Sequence, residues 1–377
     1  MRVLAVLLAI ALSACTNNTV VPIPTPVPTR EPGIVNVSVL LDLSGARAPS
    51  GQPQRDAMQL WMNQPRTGPV KLRVKFVDVA GSDAKLLLEL RRAVVEDRAD
   101  AIVIGAALPQ GDTLKQAIQV GSVPVLLTLP VADPTSSIGG RFTFALAPTP
   151  ASIARALAAD LIGRGILAPM LLATDDSAAA GAERSALIAE LLSRNTIAPI
   201  PVNVAAPGGP QRVRSAAAVA KSVVLFGASA PHGDLIRSIP STATAPRVYL
   251  SYLTETADVT NLREQSTLVT WPGSRSLLAG FVTTQDQRTF LQTFRDRHGA
   301  PSTPAATAYD ALGLIDIAAR QAPTELDAAN LRLRLETGGF LGVVTRYSFT
   351  PQRHTGFTPD DLVYLRWDAQ REGPALP

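Results

Sequence analysis

From residue 35 onward, short apolar runs that stop on Asp, Ser or Gly alternate with segments of helical period, and this alternation confines the chain to an α/β fold. Val35, Val37, Val39 and Leu41 alternate with Asn36 and Ser38, and the run ends at Asp42-Leu43-Ser44-Gly45, a strand feeding a turn. The spacing predicts a helix over Gln54–Asn63, with Ala57, Leu60 and Trp61 on one face, and a second strand over Lys71–Val77. Ser82 or Asp83 caps a helix carrying Leu86, Leu87, Leu90 and Val94. A strand at Ala101–Ile104, a helix at Thr113–Val120 and a strand at Val123–Thr128 follow. Strand, helix, strand in this rhythm predicts a parallel sheet covered by helices on both faces.

The pattern starts again near residue 148. Thr149-Pro150 supplies a capping oxygen followed by Pro at the first helical position, and that helix runs to about Gly163. Strands are predicted at Met170–Ala173, Ile197–Val204, Ser222–Phe226, Arg247–Leu250 and Thr267–Thr270, with a helix over Glu183–Ser193. Three helical patterns then occupy Asp286–Arg297, Pro304–Arg320 and Glu325–Leu335, and two strands, Val343–Phe349 and Leu362–Trp367, close the chain. A length of 377 residues suits two domains of ordinary size. Its 46% hydrophobic content excludes disorder as the main state.

The N-terminus reads as an address. Val3–Leu12 is an apolar run of about ten residues, short of the ~20 needed to span a bilayer but suited to the core of a secretory signal. Leu12-Ser13-Ala14-Cys15 resembles the lipobox of bacterial lipoproteins, which implies removal of residues 1–14 and lipidation of Cys15. Cys15 is the only cysteine, so no disulfide can form within the chain. The following segment carries prolines at 22, 24, 26, 28 and 32 and predicts an extended tether over 15–33. The expected location is therefore extracytoplasmic, with the body held to a membrane by lipid. Thirty Arg and five Lys give a formal charge of +4, but the Arg are spread without a basic stripe, so nucleic acid is not an expected partner.

Several segments together are similar to the type I periplasmic binding proteins of the branched-chain amino acid receptor group. Ser38–Gly45 followed by Gly51-Gln52 and Ala57–Leu60 resembles the opening of that family. Phe76–Asp83, Asp100–Gly105, Ser122–Leu126, Ala308–Leu312 and Phe340–Phe349 resemble five further family segments, in family order and spacing. The resemblance implies two Rossmann-like lobes with parallel central sheets, joined by a three-strand hinge. Lobe 1 is expected at 34–146 plus 273–343, and lobe 2 at 147–272 plus 344–370. It also implies a ligand in the cleft at the carboxyl ends of both sheets, hinge closure on binding, and ABC permease subunits as partners of a monomeric receptor.

The candidate ligand-binding residues are polar groups at predicted strand exits: Ser44, Gln110, Asp112, Thr113, Thr128, Asp133, Asp176, Ser177, Ser229 and Tyr252. Asp112 and Asp176 are equally placed to cap helices. Asp42 lies at the first strand exit, and Tyr252 and Trp271 are the aromatic candidates for a cleft wall, with packing the alternative for Trp271 beside a predicted crossing. In amino acid receptors of this group, small hydroxyl residues in two lobe 1 loops hold the ligand. Here Pro109 and Gln110 stand near the expected Ser, Ala132 stands near the expected Thr, and the loop at 175–181 lacks its aromatic residue. An α-amino acid requires a paired clamp, because an unpaired buried charge is costly.

An enzyme is not expected. The three histidines, His232, His298 and His354, have no metal-ligand spacing, so no metal or other cofactor is expected. Gly227-Ala228-Ser229-Ala230-Pro231 lacks the closing Gly of a nucleophile elbow. No P-loop or GxGxxG follows a strand. The reading is a lipid-anchored solute-binding protein of an ABC importer, taking a small polar ligand such as an amino acid or a related compound. The alternative is a lipoprotein of the same fold that serves as an envelope interaction module or a sensor.

Overall fold

The structure is a computed structural model. It describes residues 31–109, 112–132, 140–175, 177–196, 199–227, 232–239, 242, 244–255, 259, 268–277, 284–321, 323–324, 326–368, 370 and 373–376. Cys15 lies outside the described residues.

The first sheet holds β1 (Ile34–Leu41), β2 (Lys71–Asp78), β3 (Ala101–Ile104), β4 (Val125–Leu127) and β5 (Thr143–Ala145), all parallel, in the order β2-β1-β3-β4-β5. The second holds β6 (Met170–Thr174), β7 (Ile200–Asn203), β8 (Ser222–Phe226), β9 (Arg247–Leu250) and β10 (Val269–Ser274) in the order β7-β6-β8-β9-β10. Each lobe thus repeats one doubly wound order, 2-1-3-4-5, whose switch point lies between its first and third strands. The second sheet is extended by β13 (Leu362–Asp368) and β14 (Gly373–Ala375), both antiparallel to their neighbours.

Alternation sorts the core. Val35, Val37, Val39 and Leu41 of β1 face α1 (Ala48–Asn63) and α9 (Thr303–Arg320), while Leu40 and Ile102 face α2 (Asp83–Val95) and α3 (Asp112–Gly121). In the second sheet Leu171, Ala173, Val223 and Leu225 pack with Val213 of α6 (Gly209–Ala217) and with α7 (Gly233–Arg237). On the other face Met170, Leu172, Val224 and Phe226 meet α4 (Pro150–Gly163) and α5 (Ala178–Ser193). Each fully buried Leu, Val or Phe stabilises by about 1.5–3 kcal/mol relative to exposure.

Local signals start the helices. The side chains of Ser82, Thr149 and Ser177 accept from Lys85 N, Ser152 N and Ala180 N. Thr284 and Gln287 form a reciprocal capping box on α8 (Gln285–His298), and Asp327 caps α10 (Ala328–Thr337). Helix α1 begins six residues before the predicted Gln54, because Pro49 sits in its first turn, where a missing amide costs nothing.

The chain passes between the sheets after β5, after β10 and before β13. A short hairpin, β11 (Gly339–Leu341) with β12 (Arg346–Ser348), lies along the last of these segments and replaces the single strand expected at Val343–Phe349. Side chains lace the segments together. Asp310 of α9 accepts from Val343 N at 2.7 Å, Val344 N at 2.9 Å and the Tyr347 hydroxyl at 3.1 Å. The Ser274 hydroxyl donates to Val344 O, and Thr345 donates to Asp361 at 2.5 Å. Beside β5, His354 stacks on Phe144 at 4.3 Å and its Nδ1 meets Thr143 O at 3.0 Å.

Candidate functional site

The strand exits of both lobes converge on a cavity of about 260 Å³. Lobe 1 contributes Ala106–Pro109 after β3 and Leu129–Ala132 after β4. The other side is Pro150 at the start of α4 and Ala178, Ala179 and Ala182 from the first turns of α5. A second cavity of about 590 Å³ shares Ala132, Pro150 and Ala182 with the first and continues to Thr149, Gln352 and Arg353. The capping hydroxyls of Thr149 and Ser177 fix where α4 and α5 begin, and so fix this wall.

Six of the sequence-predicted residues can be placed. Ser44 is exposed and donates to Asp78 at 2.5 Å. Asp112 and Thr113 open α3 and are exposed. Thr128 is fully buried, and its hydroxyl donates to Gln54 Oε1 at 2.6 Å. Gln54 in turn donates to Gly105 O at 2.9 Å, so this pair ties the β3 and β4 exits to α1. Ser177 caps α5 and donates to Asp175 at 2.5 Å. Tyr252 is buried in the larger core cluster beside Thr307, not on the described cavity wall. Gln110, Asp133, Asp176 and Ser229 lie outside the described residues.

The structure therefore brings the β3 and β4 exit loops against the start of α5 but presents hydrocarbon side chains there, and the Ser44 loop is not part of the described cavity wall. The sequence reading missed Ala106, Leu108, Leu129, Val131, Ala178 and Ala182 because it searched strand exits for polar groups. Their signal was the position of the loops. Asp42, at the end of β1, is buried, accepts from Gly81 N at 2.6 Å, and is pushed up by that burial. Among the described residues no group of three His, Cys, Asp or Glu is placed to hold a metal, and no helix is long and apolar enough to cross a membrane.

Behind the cavity wall lies Glu183, on the face of α5 that also buries Ala180, Leu187 and Leu191. Its two oxygens accept from the Ser251 hydroxyl at 2.9 and 2.8 Å. Burial pushes its carboxyl up to about 7, against the opposing hydrogen bonds from Ser251 and Tyr252 N, and Asp175 adds to the upward shift. A carboxyl raised in the folded state stabilises fully below its unfolded value near 4.5, and that contribution fades as pH rises through about 7. We expect the Tm to fall between pH 5 and pH 8, with a Glu183 share on the order of 2 kcal/mol. Glu183→Gln should flatten that part of a differential scanning calorimetry pH series, and an unchanged slope would contradict the assignment.

Comparison with known proteins settles the family. The profile described as periplasmic binding protein matches residues 34–371. The chain belongs to the periplasmic binding protein family. Its parallel sheets in two lobes match the fold of type I periplasmic binding proteins. A comparison with curated proteins finds no match. Among solved structures, the fold is similar to a possible leucine/isoleucine/valine-binding protein from Rhodopirellula baltica (TM-score 0.76, 13% identity, 92% of this chain and 98% of that one). It is also similar to a solute binding protein of an ABC transporter from Rhodopseudomonas palustris, in complex with 3,4-dihydroxy benzoic acid (TM-score 0.71, 14% identity, 89% and 92%). A third is a branched-chain amino acid transporter substrate binding protein from Streptococcus pneumoniae, in complex with isoleucine (TM-score 0.70, 15% identity, 90% and 97%). These identities speak for a common fold. As a periplasmic binding protein the chain belongs to a solute-binding, non-enzymatic family.

Proposed function

We propose that this protein is the extracytoplasmic solute-binding component of an ABC importer, capturing a small ligand between its lobes by hinge closure. The observation that carries this reading is the cavity between the β3 and β4 exit loops of one sheet and the first turns of α4 and α5 on the other lobe. Open α/β sheets bind ligands at such carboxyl-end crevices. In this reading lobe 1 comprises 34–146 plus 273–343, lobe 2 comprises 147–272 plus 344–370, and the monomer delivers its ligand to permease subunits. Cys15 carries the lipid anchor, and residues 15–33 form the tether.

A thermal-shift screen with amino acids, short peptides, amides and carboxylic acids tests the binding claim. A ligand at 100 times its Kd should add about 2.7 kcal/mol to the unfolding free energy. No shift with any compound, together with co-purification of an envelope enzyme, would favour an interaction module instead. For the anchor, Cys15→Ala should move the protein from the membrane fraction to the soluble one.

A further inference from the structure

The walls of the cavity between the lobes narrow the chemistry of the ligand. Every described side chain lining the 260 Å³ cavity is hydrocarbon. Three of the lining residues, Pro109, Pro130 and Pro150, also lack a backbone N–H. An ammonium group placed there would lose its water and meet no described side-chain acceptor, which costs several kcal/mol. Glu183 does not serve as that acceptor, because it is buried behind α5 and held by Ser251.

The adjoining mouth has the opposite character. Arg353 lines it beside Gln352 and Thr149. The Arg353 guanidinium donates to Ser348 O at 3.1 Å through Nη2, and no carboxylate among the described residues pairs with it. His354 lines the same mouth but is buried, with Nδ1 at Thr143 O and Nε2 facing Glu336 at 3.2 Å, so its ring nitrogens are committed inward. An exposed, unpaired guanidinium is suited to a carboxylate, which it can grip through two N–H groups.

Resting on the receptor reading, we propose that the ligand is a monocarboxylate with an apolar body and no ammonium group. Its body fills the cavity between the lobes and its carboxylate lies at the mouth against Arg353. Aliphatic and arylalkyl acids share this chemistry, and the test separates them.

Isothermal titration calorimetry of the full chain with butyrate, hexanoate, octanoate, 3-phenylpropanoate, octanamide and leucine decides the matter. The account predicts that affinity rises about threefold to fourfold per CH2 along the fatty acid series until the cavity is full, the equivalent of ~0.8 kcal/mol per CH2. The stronger of octanoate and 3-phenylpropanoate identifies the body. Arg353→Ala should weaken that acid at least tenfold and leave octanamide unchanged. Ala182→Trp, at an exposed helical position on the wall, should abolish binding of both while the melting transition is retained. Leucine binding more tightly than every acid would overturn the proposal and leave the receptor reading intact. Octanamide binding as tightly as octanoate to the unaltered protein would overturn the role of Arg353 and with it the carboxylate. Binding of none of these, with no response to any compound in the wider thermal-shift screen, would overturn both.

Discussion

Replacing Asp310 with alanine should lower the unfolding free energy by about 3–5 kcal/mol, one of the largest effects expected of any single side chain in this protein. Asp310 is fully buried on α9 and accepts three hydrogen bonds, from Val343 N, Val344 N and the Tyr347 hydroxyl. Those donors sit in the segment that leads from the first lobe to the last strands of the second sheet. Removing the carboxylate orphans all three, at about 1–3 kcal/mol each, offset in part because the carboxylate itself is costly to bury. That cost is visible in its titration: burial pushes Asp310 up to about 7, the three donors notwithstanding. Urea denaturation reads the effect as a lowered midpoint. Asp310→Asn keeps one acceptor oxygen and should recover part of the loss, whereas an alanine variant as stable as the parent would contradict the latch.

The second large effect is expected at Gly51. A Cβ there would fall 1.9 Å from Asp42 O and 2.6 Å from Asp42 C. These are backbone atoms at the end of β1, so no side-chain rotation relieves the clash. In Gly51→Ala the N-terminal turn of α1 must therefore move away from the sheet, at a cost of about 3 kcal/mol or more. Gly181, within α5, is the control: nothing lies within 4 Å of its added Cβ. Gly181→Ala should be neutral or stabilising by about 0.5–1 kcal/mol, because alanine is the better helix former. Equal destabilisation by the two substitutions in chemical denaturation would show that the close approach at Gly51 is not what matters.

These two positions explain why the fold was legible. The Gly51-Gln52 pair that carried part of the family resemblance marks a place where α1 touches the end of β1, and Gln52 donates to Leu43 O at 2.7 Å. Within the Tyr309-Asp310 motif, Asp310 is the hinge latch, while the Tyr309 hydroxyl donates to Gln64 at 3.0 Å. Buried strands such as Ala101–Ile104 and Ser222–Phe226 were readable because both faces are covered, leaving unbroken apolar runs.

Other features carry weak local signals. The β11–β12 hairpin has three-residue strands, too short to display a period of two. The antiparallel direction of β13 depends on where the chain returns after the hinge, which no residue in Leu362–Asp368 encodes. The candidate cavity borders the β3 and β4 exit loops and the start of α5, yet its described walls carry hydrocarbon side chains for a simple physical reason. Polar strand exits such as Ser44, Thr128 and Ser177 are committed to Asp78, Gln54 and Asp175, tasks of turn and helix construction, and the residues between them line the space.

Small-angle X-ray scattering of the protein, without ligand and then with the tightest binder from the calorimetric series at saturation, tests the central claim most directly. Two lobes closing on a guest predict a smaller radius of gyration in the saturated sample. An unchanged scattering curve at full occupancy would contradict capture by hinge closure.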